Sequence, residues 1–178
     1  MIAAAPTPAP GDVVLLTGPV AAGKTTVARE LQKILPPPVA HIEGDAFWPF
    51  IPPPVAAHRE EMFPVLMRAM TAAAIPFARS GCRVLLDFSI PPAFYPTARK
   101  ILKEIPLQAV VLLPRLAVCE TRARGRVECP LDDYGMYREF YALFQEGSAS
   151  ALCDDAASAT ALALRIRDGL AEGRYRLP

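Results

Sequence analysis

The feature that most constrains this chain is the segment Gly18-Pro-Val-Ala-Ala-Gly-Lys-Thr25, which matches the pattern G-x-x-x-x-G-K-[ST] at every position. Glycines allow a backbone to turn sharply and to approach phosphate groups closely. The amide groups of such a loop bind phosphate oxygens at the start of a helix, where the helix dipole also favours an anion. The segment therefore predicts a nucleoside triphosphate site formed by Gly18, Pro19, Val20, Ala21, Ala22, Gly23, Lys24, Thr25 and Thr26.

Two side chains of this phosphate loop predict the chemistry of the site. Lys24 is placed to reach the β- and γ-phosphates, and the Thr25 hydroxyl to ligate Mg²⁺. The chain contains no Asn, and none of its lysines lies in a T-K-x-D sequence, so the base-reading motif of guanine-specific switch GTPases is missing. We therefore expect ATP and Mg²⁺ as cofactors, although the sequence does not exclude GTP.

The remaining pattern predicts an α/β fold. Val13 to Thr17 is a short continuous apolar run, as in strands buried on both faces of a parallel sheet. Predicted strands alternate with helices, which favours a three-layer α/β/α domain, residues 1–178, with a mainly parallel five-stranded sheet. The strands are predicted at 13–17, 39–42, 83–88, 108–113 and near Leu152, and the helices at 24–35, 58–79, 96–104, 116–124, 133–144 and 156–170.

Breaks in this pattern are predicted from proline and composition. Pro64 and Pro76 are expected to break or kink the second helix. Residues 46–57 are predicted to form an aromatic and proline-rich loop, and residues 1–11 a loose tail.

Composition excludes several classes of protein. The net charge is +1, which gives no general attraction to nucleic acid or to anionic lipid. The four cysteines form no C-x-x-C pair, and the two histidines are not at zinc-ligand spacing. The N-terminus lacks the features of a signal peptide, and no apolar stretch approaches the roughly 20 residues that span a bilayer. We therefore expect a cytoplasmic protein, monomeric or homodimeric, without nucleic-acid or membrane partners.

Other proteins with this loop carry features that are missing here. An ATPase motor usually has a glutamate directly after the aspartate of its second motif, to position water. Here Asp87 follows Val84-Leu-Leu and precedes Phe88 and Ser89. No L-S-G-G-Q sequence of transporter ATPases is present. A small phosphotransferase remains.

Residues 13–170 resemble the small-molecule kinases related to nucleoside monophosphate kinases. Chloramphenicol phosphotransferase, gluconate kinase and shikimate kinase belong to this group. Four features at matching order and spacing carry the resemblance: the phosphate loop at 18–25, Glu43-Gly44-Asp45, Asp87, and the cluster Arg122-Ala-Arg124-Gly-Arg126.

The resemblance implies specific roles. Asp45 would contact the acceptor hydroxyl and act as its general base. Asp87 resembles the Walker B carboxylate, which holds Mg²⁺ through water or faces the acceptor. Arg122 and Arg126 would offset the charge of the transferring group from a lid at about 122–135, and Arg124 could replace either.

Each of these roles has an alternative. Asp45 could instead cap a helix or lie in a turn. Asp87 could be an ordinary loop carboxylate. The arginine cluster could be a solvated helix face, since Glu120 and Glu128 flank it.

Aromatic residues near Asp45 predict a partly apolar small-molecule acceptor that bears a hydroxyl. These aromatic side chains could equally pack in the core or the lid. The whole protein could also be a nucleotide-binding regulatory module, or a nucleoside or nucleotide kinase. The predicted acceptor contacts are Asp45, Phe47, Trp48, Arg59, Phe88, Tyr95 and Tyr137.

Overall fold

A computed structural model describes residues 9–52, 59–126, 133–146 and 151–177. Four strands form one parallel sheet in the order β2–β3–β1–β4. The central strand β1 is buried along its whole length, as its unbroken apolar run predicts. The strands are β1 (Val13–Thr17), β2 (Val39–Glu43), β3 (Arg83–Asp87) and β4 (Leu107–Val111).

Helices cover both faces of the sheet, which confirms the three-layer α/β/α prediction. One face packs against α1 (Lys24–Ile34) and α6 (Ala159–Ala171), and the other against α2 (Arg59–Arg79) and α3 (Tyr95–Leu102). A third apolar cluster joins the phosphate loop and the end of β4 to α4 (Leu116–Arg124) and α5 (Gly135–Gln145). Within the described ranges, no helix has the length and apolar character needed to cross a bilayer.

The predicted fifth strand is reduced to one bridge between Leu152 and Leu112. The backbone amide of Leu152 donates to the carbonyl of Val111 at 2.8 Å. The chain then turns away, because an Asp154 carboxylate oxygen accepts from the amides of Ala156 and Ala157 and so directs the chain toward α6. The prediction of five strands is therefore wrong by one.

The outer edge of β4 is covered at its other end by the C-terminal residues. The amide of Ala109 donates to the carbonyl of Tyr175 at 2.8 Å, and the amide of Leu177 donates to the carbonyl of Leu107 at 3.0 Å. Two short segments thus take the place of one full strand beside β4.

Helix α2 contains both Pro64 and Pro76 and continues past them, so of the predicted break or kink the break does not occur. Its inward side is buried against the sheet, and this burial offsets the backbone hydrogen bonds that two prolines remove. The fully buried apolar residues on that side are Met67, Met70, Ala74 and Ala78.

Two predicted irregular segments are more ordered than expected. A 3₁₀ helix (Gly44–Phe50) occupies the start of the predicted 46–57 loop, whose residues 53–58 lie outside the described ranges. At the N-terminus, the amide of Gly11 donates to the carbonyl of Ala78 at 2.8 Å, so the chain is anchored at the end of the predicted tail. Residues 1–8 lie outside the described ranges.

Candidate active site

The phosphate loop joins β1 to α1 and contains three residues with positive φ. Gly18 has a φ of +144°, Ala21 of +62° and Gly23 of +92°. A Cβ on Gly18 would lie 2.1 Å from the carbonyl oxygen of Leu112, so this position has room only for glycine. The N-cap residue of α1 is Gly23, which has no side chain to cap the first amides of the helix. The amides at the start of α1 are therefore available to an anion.

Lys24 interacts electrostatically with three other residues of the predicted site. Its Nζ donates to the carbonyl oxygen of Pro19 at 2.9 Å. Burial lowers the pKa of Lys24, while the negative charges of Asp87 and Asp45 oppose this shift and the positive charge of Arg126 adds to it. The fold thus brings Lys24, Asp45, Asp87 and Arg126 into one electrostatic environment.

Asp45 lies in the first turn of the 3₁₀ helix, immediately after β2, and its side chain is exposed. The cap residue of that helix is Glu43, and its side chain makes no capping hydrogen bond. The alternative role of Asp45 as a helix cap is therefore not what this structure shows. A Cβ on Gly44 would lie 2.6 Å from three side-chain atoms of Phe88. This close contact fixes the backbone next to Asp45 against the end of β3.

Asp87 ends β3 and is 3% exposed. Its Oδ2 lies 3.6 Å from the Nε2 of His41, and neither atom has a hydrogen-bond partner among the described residues. A buried carboxylate oxygen without a donor is unusual in proteins. It fits an interaction with a metal-bound water at the carboxyl edge of the sheet.

Thr25 lies in the first turn of α1 and is half-buried, while Thr26 beside it is exposed. Across the described ranges, no three His, Cys, Asp or Glu side chains lie close enough to hold a metal ion by themselves. Mg²⁺ in phosphotransferases is usually held by one or two protein groups together with substrate phosphates. The pair Thr25 and Asp87 fits that kind of site.

The three arginines of the predicted lid differ in their contacts. The Nη1 of Arg122 donates to the carbonyl oxygen of Ala22 at 3.4 Å, which places this guanidinium beside the phosphate loop. Arg126 is close enough to Lys24 to affect its pKa. Arg124 is exposed on α4. The predicted lid is described only at its two ends, since residues 127–132 lie outside the described ranges.

An aromatic cluster, defined by Phe63, Phe88, Phe94 and Phe140, reaches Gly44 through the side chain of Phe88. Phe63 stacks on Phe88 with ring centroids 5.5 Å apart, and it meets Phe94 at 5.2 Å and Phe140 at 6.5 Å. Sequence reasoning missed Phe63 and Phe140, which lie on helices α2 and α5. Their only signal was an apolar residue on the inward side of a predicted helix.

The other predicted acceptor contacts fall in two places, since Tyr137 packs against the apolar cluster beside the phosphate loop and the others that are described pack on the α2 face of the sheet. Phe47 and Trp48 are half-buried and pack against the core beneath α2. Tyr95 is half-buried too, and burial raises the pKa of its hydroxyl, which has no hydrogen-bond partner among the described residues. Tyr137 packs beside Tyr134 with ring centroids 5.5 Å apart. The side chain of Arg59 lies outside the described part of the structure.

Phe88 is 5% exposed and therefore belongs mainly to the core. For this residue the structure favours the packing alternative over direct acceptor contact. Phe88 still links the core to the site, because its ring touches both Gly44 and Phe63.

Thr17 is a further residue that sequence reasoning missed. Its hydroxyl donates to the carbonyl of Ile90 and accepts from the amide of Ile90, both at 2.8 Å. These bonds tie the start of the phosphate loop to the segment after β3. A threonine at the end of an otherwise apolar strand was the available signal.

A model of the chloramphenicol phosphotransferase-like protein family matches residues 11–149. Among curated proteins, no sequence matches the chain.

Solved structures similar to this chain include two kinases and a resistance protein. A sugar kinase from Janibacter sp. HTCC2649 is 21% identical, with 91% of this chain and 95% of that chain covered and a TM-score of 0.70. An APS kinase from Mycobacterium tuberculosis, solved with AMPPNP and APS, is 20% identical over 92% and 99% of the two chains, with a TM-score of 0.65. A tunicamycin resistance protein from Deinococcus radiodurans is 17% identical over 94% and 99%, with a TM-score of 0.63. At these identities the likeness establishes the fold.

Proposed function

Because the chain belongs to the chloramphenicol phosphotransferase-like family, we propose that it transfers the γ-phosphate of ATP to a hydroxyl group of a small molecule. The observation that carries this proposal is that the charges of Asp45, Asp87 and Arg126 all act on the pKa of Lys24 in the phosphate loop. A protein that only binds a nucleotide does not need an exposed carboxylate on the acceptor side of that loop.

Side chains and backbone amides of this chain accept the proton, offset the negative charge and bind the phosphates in this reaction. Asp45 accepts the proton of the acceptor hydroxyl while the hydroxyl oxygen forms a bond to the γ-phosphorus. At the same time the bond from the γ-phosphorus to the bridging oxygen breaks, and ADP leaves. Lys24, Arg122 and Arg126 offset the negative charge that develops on the transferring group. The backbone amides of the phosphate loop bind the phosphate oxygens and keep the γ-phosphate in line with the acceptor.

Thr25 and Asp87 would hold Mg²⁺, which neutralises phosphate charge when bound. Asp87 is suited to this role because it is buried at the end of β3 and one of its oxygens lacks a hydrogen-bond donor among the described residues. Burial also keeps that carboxylate in one orientation. A water molecule on the metal would supply the missing donor.

The acceptor chemistry follows from the surroundings of Asp45. The aromatic cluster begins at Phe88, which touches Gly44 next to Asp45. Arg138, a candidate partner for an anionic acceptor, is already ion-paired with Glu120 at 2.8 Å. We therefore favour a neutral, partly apolar hydroxyl compound over a nucleotide or a sugar acid.

The experiment screens neutral hydroxyl compounds, including antibiotics and metabolites, for thermal stabilisation in the presence of a non-hydrolysable ATP analogue and Mg²⁺. Compounds that stabilise the protein are then incubated with ATP, and phosphorylated product is measured by mass spectrometry. Lys24→Met is the control, and we expect it to lose both analogue binding and product. Tight analogue binding without acceptor-dependent product from any compound would contradict the proposal and favour a regulatory nucleotide-binding module.

A further inference from the structure

Tyr134 connects the start of α5 to the phosphate loop. Its hydroxyl donates to the carbonyl oxygen of Val20 at 2.8 Å, across 114 positions of sequence. The side chain is 3% exposed and packs in the apolar cluster that contains Cys119, Ala123 and Phe144. This hydrogen bond is outside the reaction described above, and the phosphate-loop motif does not include its donor.

The bond bears directly on an amide of the loop. The carbonyl of Val20 and the amide of Ala21 belong to one planar trans peptide group, so they point in opposite directions. Ala21 has a φ of +62°, a conformation that residues with a Cβ rarely adopt. A donor that holds the Val20 carbonyl on the outside of the loop therefore also holds the Ala21 amide toward the inside.

Other carbonyls of the loop are bound in the same way. Lys24 donates to the carbonyl of Pro19 at 2.9 Å, and Arg122 donates to the carbonyl of Ala22 at 3.4 Å. Both of those donors are charged groups that the proposed reaction needs for the phosphates. Tyr134 is the neutral donor of the set, and burial raises the pKa of its hydroxyl, so it remains a donor throughout the neutral range.

We propose that Tyr134 is a positioning residue, whose hydroxyl orients the Val20–Ala21 peptide so that the Ala21 amide can bind phosphate. The inference rests on the proposed nucleotide site and adds a residue from outside the loop that sets the loop's affinity for phosphate. It predicts that the hydroxyl contributes to binding of the phosphate groups and not of the base or ribose.

The test is Tyr134→Phe, which removes one oxygen atom and leaves the buried ring in place. Tyr141→Phe is a matched control, because Tyr141 lies on α5, is 7% exposed and donates its hydroxyl to a backbone carbonyl, that of Pro114, at 2.9 Å. The two tyrosines differ in the carbonyl that accepts their hydrogen bond, since Pro114 is outside the phosphate loop and Val20 is within it. Calorimetry would give the Kd of wild type and both variants for ATP and for inorganic tripolyphosphate, and thermal scans would give their Tm.

We expect Tyr134→Phe to weaken the binding of both ATP and tripolyphosphate by about tenfold, which is the effect of losing one buried hydrogen bond. The Kd values of Tyr141→Phe for both ligands should stay within about twofold of those of wild type. Its Tm should fall about as much as that of Tyr134→Phe, since each variant loses one buried hydrogen bond. Equal affinity of Tyr134→Phe and wild type would overturn the inference, as would an equal loss in both variants or a loss for ATP alone. If wild type bound neither ATP nor tripolyphosphate, the proposed function would fail, and the inference with it. If wild type bound both ligands and Tyr134→Phe bound them equally well, only the inference would fail.

Discussion

Replacing Gly18 by alanine tests how closely the phosphate loop approaches β4. The added Cβ would lie 2.1 Å from the carbonyl oxygen and 3.1 Å from the carbonyl carbon of Leu112. That carbonyl cannot move freely, because the Leu113 amide of the same peptide group donates to the carbonyl of Leu152 at 3.0 Å. Gly23→Ala is a matched control, since its φ is also positive but its Cβ would meet only the Nη1 of Arg122, at 3.8 Å.

The two substitutions share one cost and differ in a second. Alanine at a positive φ costs about 1–3 kcal/mol, and this applies to both Gly18 and Gly23. Forcing an extra carbon into a packed site adds about 1–3 kcal/mol, and this applies to Gly18 alone. We therefore expect Gly23→Ala to lower the free energy of unfolding by about 2 kcal/mol and Gly18→Ala by about 4 kcal/mol.

Circular dichroism measured during heating and during urea titration, without nucleotide, checks this difference. For a chain of this size, about 2 kcal/mol corresponds to a further fall in Tm of roughly 4–8 °C for Gly18→Ala. Equal Tm values for the two variants would show that the loop does not approach Leu112 as closely as described. The reasoning about steric packing at Gly18 would then be refuted.

Three further predictions concern the charges of the site and the aromatic cluster. Burial lowers the pKa of Lys24, so the unfolded chain binds more protons at this residue than the folded chain does. The free energy of unfolding should therefore rise as the pH increases toward 10. Urea titrations at several pH values should show this rise in wild type and not in Lys24→Met. Phe63→Ala should lower the free energy of unfolding by about 3 kcal/mol in urea and raise the acceptor KM, because Phe63 stacks on Phe88; an unchanged KM would place the acceptor elsewhere. Arg122→Gln should lower kcat by about 10²-fold or more in steady-state assays, whereas Arg124→Gln on the same helix should lower it less; the reverse order would assign the catalytic role to Arg124.

The parts of the fold that sequence predicted are those fixed by local pattern. The apolar run of β1, the glycines of the phosphate loop and the start of α1 at Lys24 all depend on neighbouring residues, and the structure has them where expected. Pro64 misled the prediction, because a local rule about proline competes with burial along the rest of α2. The fifth strand failed for a similar reason, since Asp154 bonds to nearby backbone amides and turns the chain after one bridge.

The contacts that define the acceptor side were beyond sequence reasoning because they join distant elements. Phe63 and Phe140 meet only when α2 and α5 pack at the same end of the sheet. The bond from Tyr134 to Val20 spans 114 positions, and no spacing within either segment indicates it. The motif allowed roles to be proposed for single residues, whereas the partners that contact those residues required the packed structure.

In the proposed reaction, Asp45 accepts the proton of the acceptor hydroxyl while other groups hold the nucleotide. The most direct measurement compares Asp45→Asn with wild type in acceptor phosphorylation and in the Kd for ATP. Glu43→Gln is the matched control, because Glu43 lies two positions away and is paired with Arg29 at 3.7 Å. We predict that Asp45→Asn lowers phosphoryl transfer by at least about 10²-fold and leaves the Kd for ATP within a few-fold, with Glu43→Gln close to wild type in both. Retained transfer in Asp45→Asn, or parallel loss of transfer and ATP binding, would contradict the account.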